Sequence, residues 1–175
     1  TLPEGRALPA ASTAHVGLAA VAYQRGEFDT ALPHLVEGLR LCRQFGNPDS
    51  LANGLATLAW IRRAQGDVPA ALDAMEEAER VSDPTVVDLL NMVPAQRARL
   101  LLSQGDIAAA ARWAEGRGLA ADDQPSYPRE PAYLLLARVL LAQDQPDQAL
   151  RVLDLLQAAA VAQDRPGSVI EIQAL

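Results

Sequence analysis

Apolar residues recur along this chain at three- and four-residue steps, as in Leu32, Leu35, Leu39 and Cys42. That spacing marks one face of an α-helix. Four such stretches, HVGLAAVAYQR, LATLAWIRRAQ, AQRARLLLSQ and LLLARVLLAQ, are each followed by a short polar break. A second apolar stretch then begins: ALPHLVEGLRLC, ALDAMEEAERV, AAARWAE and ALRVLDLLQAAAV. The pattern predicts helix, tight turn, helix, written four times.

The breaks align. GEFDTAL (26–32), GDVPAAL (66–72), GDIAAAA (105–111) and DQPDQAL (144–150) carry Ala31, Ala71, Ala110 and Ala149 as their sixth residues, at intervals of 40, 39 and 39. A constant period in this range predicts a stacked helical array. The expected fold is all-α, a TPR-like right-handed superhelix of helix-turn-helix repeats at roughly 11–46, 47–83, 84–121 and 128–164. A partial fifth repeat follows at 167–175, the whole forming a single repeat domain. The turn residues fit. Gly26, Gly66 and Gly105 fall where a first helix must end, and Gly enters the left-handed conformation there without a Cβ clash. Asp67 and Asp106 follow, able to accept from the free amides that open the second helix. Asp144 stands where the fourth unit would need Gly, and tolerates that conformation less well. Asn47-Pro48 and Asp83-Pro84 read as N-caps with Pro at the first helical position, and Pro146 opens a helix in the same way. The small residue at each repeated Ala lets paired helices approach closely.

Two stretches break the rhythm. Pro94, inside VVDLLNMVPAQRARLLL, predicts a kink or break near residues 90–94. GRGLAADDQPSYPRE (116–130) has turn formers without periodicity and reads as a long connection after a shortened helix. At the end, SVIEIQAL opens another first helix, with Ser168 as its N-cap and Val169, Ile170, Ile172 and Leu175 as apolar positions. A solenoid is closed by a polar capping helix. The expectation is therefore a fragment of a longer protein; the opening, TLPEGRALPA, lacks Met, which an excised fragment and removal of an initiator Met before Thr would both produce.

Composition narrows the function. Half of the 175 residues are hydrophobic and 4% are aromatic, yet Arg or Asp interrupts every long apolar stretch, so no segment reads as a membrane span. The single cysteine, Cys42, reads as an apolar filler, and with no disulfide the expected compartment is the cytoplasm. Net charge is −7 and all fifteen basic residues are Arg, without a basic stripe, which argues against nucleic-acid binding by this segment.

The Gly-x-x-x-x-Ala core, with a small residue seven positions after the Ala in the first two units (Gly38 and Ala78), resembles tetratricopeptide repeats. ARLLLSQGDIAAAARWAEGRGLAADD and SYPREPAYLLLARVLLAQDQPDQALRVLDLLQAAAVAQDRPGSVIEIQAL, with HVGLAAVAYQRGEFDTALPHLVEGLRLCRQFGNPDSLANGLATLAWIRRAQGD upstream, resemble more specifically the repeat region of MalT-like, large ATP-dependent regulators of the LuxR family. The resemblance covers nearly the whole chain. It implies a bacterial sensor arm that receives a small-molecule inducer or a regulatory protein and controls the other domains of the same regulator, a nucleotide-binding switch and a promoter-binding helix-turn-helix. ATP belongs to the former. A chain without lysine has no Walker loop, so no cofactor is expected here.

Counting back from the repeated Ala by eleven positions gives Trp60, Arg99 and Arg138; by eight, Tyr23 and Arg63. With Asn53, these form the candidate ligand ladder along first helices that are expected to line a concave groove. Arg supplies bidentate donors and Trp a flat stacking face, suited to an anionic or hydroxyl-rich ligand. The competing reading has the Arg residues solvated or ion-paired and Trp60 packed between hairpins. His15 and His34 fall on different helices of the first unit and read as ordinary histidines, and no metal cluster is expected. Trp113 reads as a core aromatic, Asp122 and Asp123 as solvated carboxylates, and Ser12, Ser50, Ser82, Ser103, Ser126 and Ser168 fall mostly near predicted helix ends, where capping explains them. Neither a nucleophile elbow nor a phosphate loop is present, so an enzyme is not expected. A stand-alone tetratricopeptide-type protein or peptide adaptor is the alternative, and self-association through exposed Val169, Ile170 and Leu175 is a third possibility.

Overall fold

A computed structural model describes residues 9–82 and 93–175. Those residues form helices α1 (Pro9–Gln24), α2 (Phe28–Phe45), α3 (Pro48–Ala64), α4 (Val68–Val81), α5 (Val93–Ser103), α6 (Ile107–Gly116), α7 (Glu130–Ala142), α8 (Pro146–Ala162) and α9 (Pro166–Gln173). A single 3₁₀ turn at Tyr127–Arg129 precedes α7, and no strand occurs among the described residues. The fold is all-α and TPR-like. The chain divides into two compact units, residues 1–97 and 98–175, with the division falling inside α5.

One turn recurs throughout. Glu27 N–H donates to Ala22 O at 2.9 Å, Asp67 to Arg62 O at 3.0 Å, Asp106 to Leu101 O at 3.0 Å, Gln145 to Leu140 O at 2.9 Å and Arg165 to Ala160 O at 2.9 Å. Each bond spans a residue in the left-handed region: Gly26, Gly66 and Gly105 at φ 75°, 83° and 87°, then Asp144 and Asp164 at 58° and 51°. The fourth hairpin thus keeps the geometry without Gly, because the Asp side chain is short enough to tolerate it. Asp67 Oδ1 accepts from Ala70 N–H at 3.2 Å, Asp106 Oδ1 from Ala109 N–H at 2.9 Å and Asn47 Oδ1 from Ser50 N–H at 3.2 Å. These bonds satisfy amides that a helix start leaves open.

Four local expectations need revision or fall outside what is described. Pro94 stands in the first turn of α5, where a missing N–H costs little, while residues 90–92 and Asp83-Pro84 lie outside the described residues. The N-cap of α9 is Arg165, not Ser168, which sits inside the first turn. Ser12, likewise inside α1, is fully buried and donates its hydroxyl to Pro9 O at 2.7 Å.

Packing follows the period. Ala31, Ala71, Ala110 and Ala149 are all fully buried. Ten residues before them stand Val21, Ile61, Leu100 and Val139; the last three are 0–1% exposed and Val21 is 53% exposed. In the first unit a Cβ at Gly38 would lie 3.0 Å from Val16 Cγ2 and 3.1 Å from Val16 N, which explains the small residue there. Cys42 is buried nearby, and burial pushes its thiol pKa up against a smaller opposing effect of Ser12. In the second unit Tyr133, Leu134, Leu136, Ala137, Leu140, Val152, Leu156 and Ile172 form one core. Trp113, Val169 and Leu175 pack partly against it, whereas Ile170 is 70% exposed.

Candidate functional site

The first unit carries four of the ladder residues. Trp60 on α3 is half-buried, and its indole Nε1 donates to Gln96 Oε1 on α5 at 2.8 Å. The ring is therefore held between hairpins by a polar tether. Gln96 lies fourteen positions before Ala110; no periodic apolar signal distinguishes it, so sequence reasoning passed over it. Arg63 is half-buried and Asn53 exposed, with Thr57 Oγ1 donating to the Asn53 carbonyl at 2.9 Å. Tyr23 stacks on Phe28 across the α1–α2 turn, ring centroids 6.1 Å apart and planes 24° from parallel. It is half-buried and packs where the turn closes.

The second unit brings together the two arginines that repeat spacing pairs. Arg138 on α7 is half-buried, with Nη1 donating to Leu134 O at 3.4 Å. Burial pushes its guanidinium pKa below the usual value; the charge of Arg99 on α5 lowers it further, and Glu171 on α9 opposes both. Like charges within electrostatic reach disfavour each other's charged form, which is the direction seen at Arg138. Glu171 was not among the expected site residues, because α9 offered too short a pattern to set its register.

A latch in the same unit was also missed. Tyr133 donates to Asp123 Oδ2 at 2.6 Å, and Ala120 N–H donates to the same oxygen at 2.9 Å. The Arg129 guanidinium lies 5.5 Å from the Tyr133 ring centroid. Asp123 is thus the anchor of the 117–126 connection, and only Asp122 is the exposed carboxylate of the pair. Beside that connection opens a cavity of about 470 Å³, with Leu119, Leu136 and Leu140 among its walls and Asp122, Gln148 and Arg151 as its polar lining. Neither Arg99 nor Arg138 lines it.

At the N-terminal edge of α7, Glu130 is 6% exposed and pairs with Arg165, whose Nη1 also donates to Ser168 Oγ at 2.7 Å. The Arg165 guanidinium covers the Tyr127 ring at 4.5 Å.

With hairpin, turn and helix-face residues placed, comparison with known families is direct: residues 2–175 match the family described as the MalT-like TPR region. The chain belongs to that family. Comparison with curated proteins finds no match, and neither does comparison with solved structures. For this MalT-like TPR region, no group of three or more His, Cys, Asp or Glu positioned to hold a metal occurs among the described residues. Nor is any described helix long and apolar enough to cross a membrane.

Proposed function

We propose that this chain is the signal-receiving arm of a bacterial LuxR-family transcription regulator, acting in the cytoplasm by binding and not by catalysis. Its ligand is a small anionic or hydroxyl-rich inducer, or a regulatory protein presenting such groups. ATP and promoter DNA are handled by other modules of the same regulator. The observation that carries this reading is the pairing of Arg99 and Arg138: two like charges within mutual influence, one of them half-buried, favour an anionic or strongly accepting partner. In the first unit Trp60, tethered by Gln96, adds a flat stacking face.

Ligand binding signals only through unequal affinity for inhibited and active forms, so the inducer must prefer one hairpin arrangement. The test is calorimetric screening of oligosaccharides, aromatic acids and peptides against the chain, followed by the Arg99→Ala and Arg138→Ala variants. The reading predicts that each variant weakens the best ligand by roughly tenfold, about 1.4 kcal/mol. Unchanged affinity in both variants would remove the ladder as the site.

A further inference from the structure

The two histidines of this chain, nineteen positions apart, face each other across the first hairpin. His15 Nδ1 on α1 and His34 Nδ1 on α2 are 3.0 Å apart, with ring centroids 5.2 Å apart and planes at 47°. Both are half-buried. The helices beneath them are held close: a Cβ at Gly38 would come within 3.2 Å of His15 Cβ and 3.1 Å of the Val16 backbone. The imidazoles therefore stand on a backbone with little freedom to separate.

We infer that this His15–His34 pair is a binding site for a divalent transition ion of right-angle coordination, of the Ni(II) or Cu(II) class. The argument is geometric. Nitrogens about 2.0 to 2.1 Å from one ion lie about 2.9 Å apart at a right angle and about 3.3 Å apart at the tetrahedral angle that structural zinc prefers. The 3.0 Å separation is set by the hydrogen bond between the rings, and from it the right-angle geometry is reached with a smaller displacement of the nitrogens than the tetrahedral one. In the ion-free protein one ring donates Nδ1–H to the other. On binding, that proton moves to Nε2 of the donor ring, both rings stay neutral and both Nδ1 lone pairs go to the ion. Glu37, one turn beyond His34, lies within electrostatic reach of His15, and its negative charge favours a cation nearby. It is not a third ligand, because Arg40 holds both its oxygens, at 2.7 and 2.8 Å. Among the described residues no third His, Cys, Asp or Glu completes a cage. Water fills the remaining positions, and affinity is modest. Bound there, the ion staples α1 to α2.

The experiment uses chelator-washed protein without an oligohistidine tag. Ni(II), Cu(II) and Zn(II) chlorides are titrated calorimetrically and by thermal melting into the unaltered chain and into His15→Gln and His34→Gln. The expected result is one Ni(II) per chain, a raised melting midpoint, weaker binding of Zn(II) than of Ni(II), and roughly tenfold or greater loss of Ni(II) affinity in each variant. Equal Ni(II) binding in the variants, or tighter Zn(II) than Ni(II), overturns the assignment. If a variant does not fold, paramagnetic broadening by Cu(II) in the unaltered chain decides: it must strike the His15 and His34 ring resonances first, and any other order overturns the proposal.

Discussion

The Tyr133 hydroxyl sits 2.6 Å from Asp123 Oδ2, closing the long connection between α6 and α7 onto the core of the second unit. Tyr133 is 2% exposed and Asp123 half-buried, so the bond joins a buried donor to a partly solvated anion. Its loss in Tyr133→Phe should cost about 1 to 2 kcal/mol, a charge-assisted bond discounted for that exposure. Denaturant unfolding measures it, and a cost near zero would mean that the connection is held by packing alone.

The same pair makes stability depend on pH at both ends. The Tyr133 phenol is pushed up to about 12, first by burial and then by Asp123. Raised above its unfolded value, it contributes stability fully below about pH 10 and loses it as pH climbs through 12. Asp123 is held below the ordinary carboxylate range, first by Tyr133 and then by the Ala120 amide. Its contribution is present above about pH 4 and fades as pH falls through the lowered value. Phenolate absorbance should show one late-titrating tyrosine, and Asp123→Asn should bring that ionisation to lower pH. Three tyrosines ionising together would rule the latch out.

One substitution should act with opposite sign at two helical glycines. At Gly38 an added methyl meets Val16 Cγ2 at 3.0 Å and the Val16 backbone nitrogen at 3.1 Å, so Gly38→Ala should destabilise by about 1 to 2 kcal/mol despite better helix propensity. At Gly17 nothing lies within 4 Å, and Gly17→Ala should stabilise by about 0.5 to 1 kcal/mol. Melting temperatures moving the same way would show that the α1–α2 contact is looser than described.

Glu130 and Arg165 form a nearly buried ion pair. Removing the carboxylate leaves a guanidinium with little water to replace it, so Glu130→Ala should cost about 2 to 4 kcal/mol. Glu130→Gln, which keeps an acceptor, should cost less. Equal losses would show that packing matters there and charge does not.

Arg138 is a charge kept in an unfavourable place, half-buried and within electrostatic reach of Arg99. Arg138→Leu should leave the melting temperature unchanged or raise it, while removing ligand affinity. A clear fall in melting temperature would assign Arg138 a structural role instead.

Period, hairpins and turns were legible from residue order because each rests on local physical chemistry. A three-and-four apolar step needs only one helix, a left-handed Gly needs only its own backbone, and Asp67 caps an amide three residues away. The repeated Ala positions were legible too, since a close crossing demands a small residue wherever it recurs. Trp60 and Arg138 were singled out by repeat spacing, which carries a residue from one unit to its equivalent in the next.

Which polar groups meet was decided by the tertiary structure. Gln96 reaches Trp60 from 36 positions away, Arg165 reaches Glu130 from 35, and His15 meets His34 from 19. Apolar packing tolerates small shifts in helix rotation and still buries the same face, so periodicity predicts it. A hydrogen bond fails within about 0.5 Å and a few tens of degrees. Those tolerances depend on how far each helix turns against its neighbour, which no spacing along a single helix encodes. Asp123 is the plainest case: beside Asp122 in an aperiodic connection the two carboxylates look alike, and only the position of Tyr133 on the folded α7 makes one an anchor and leaves the other in water.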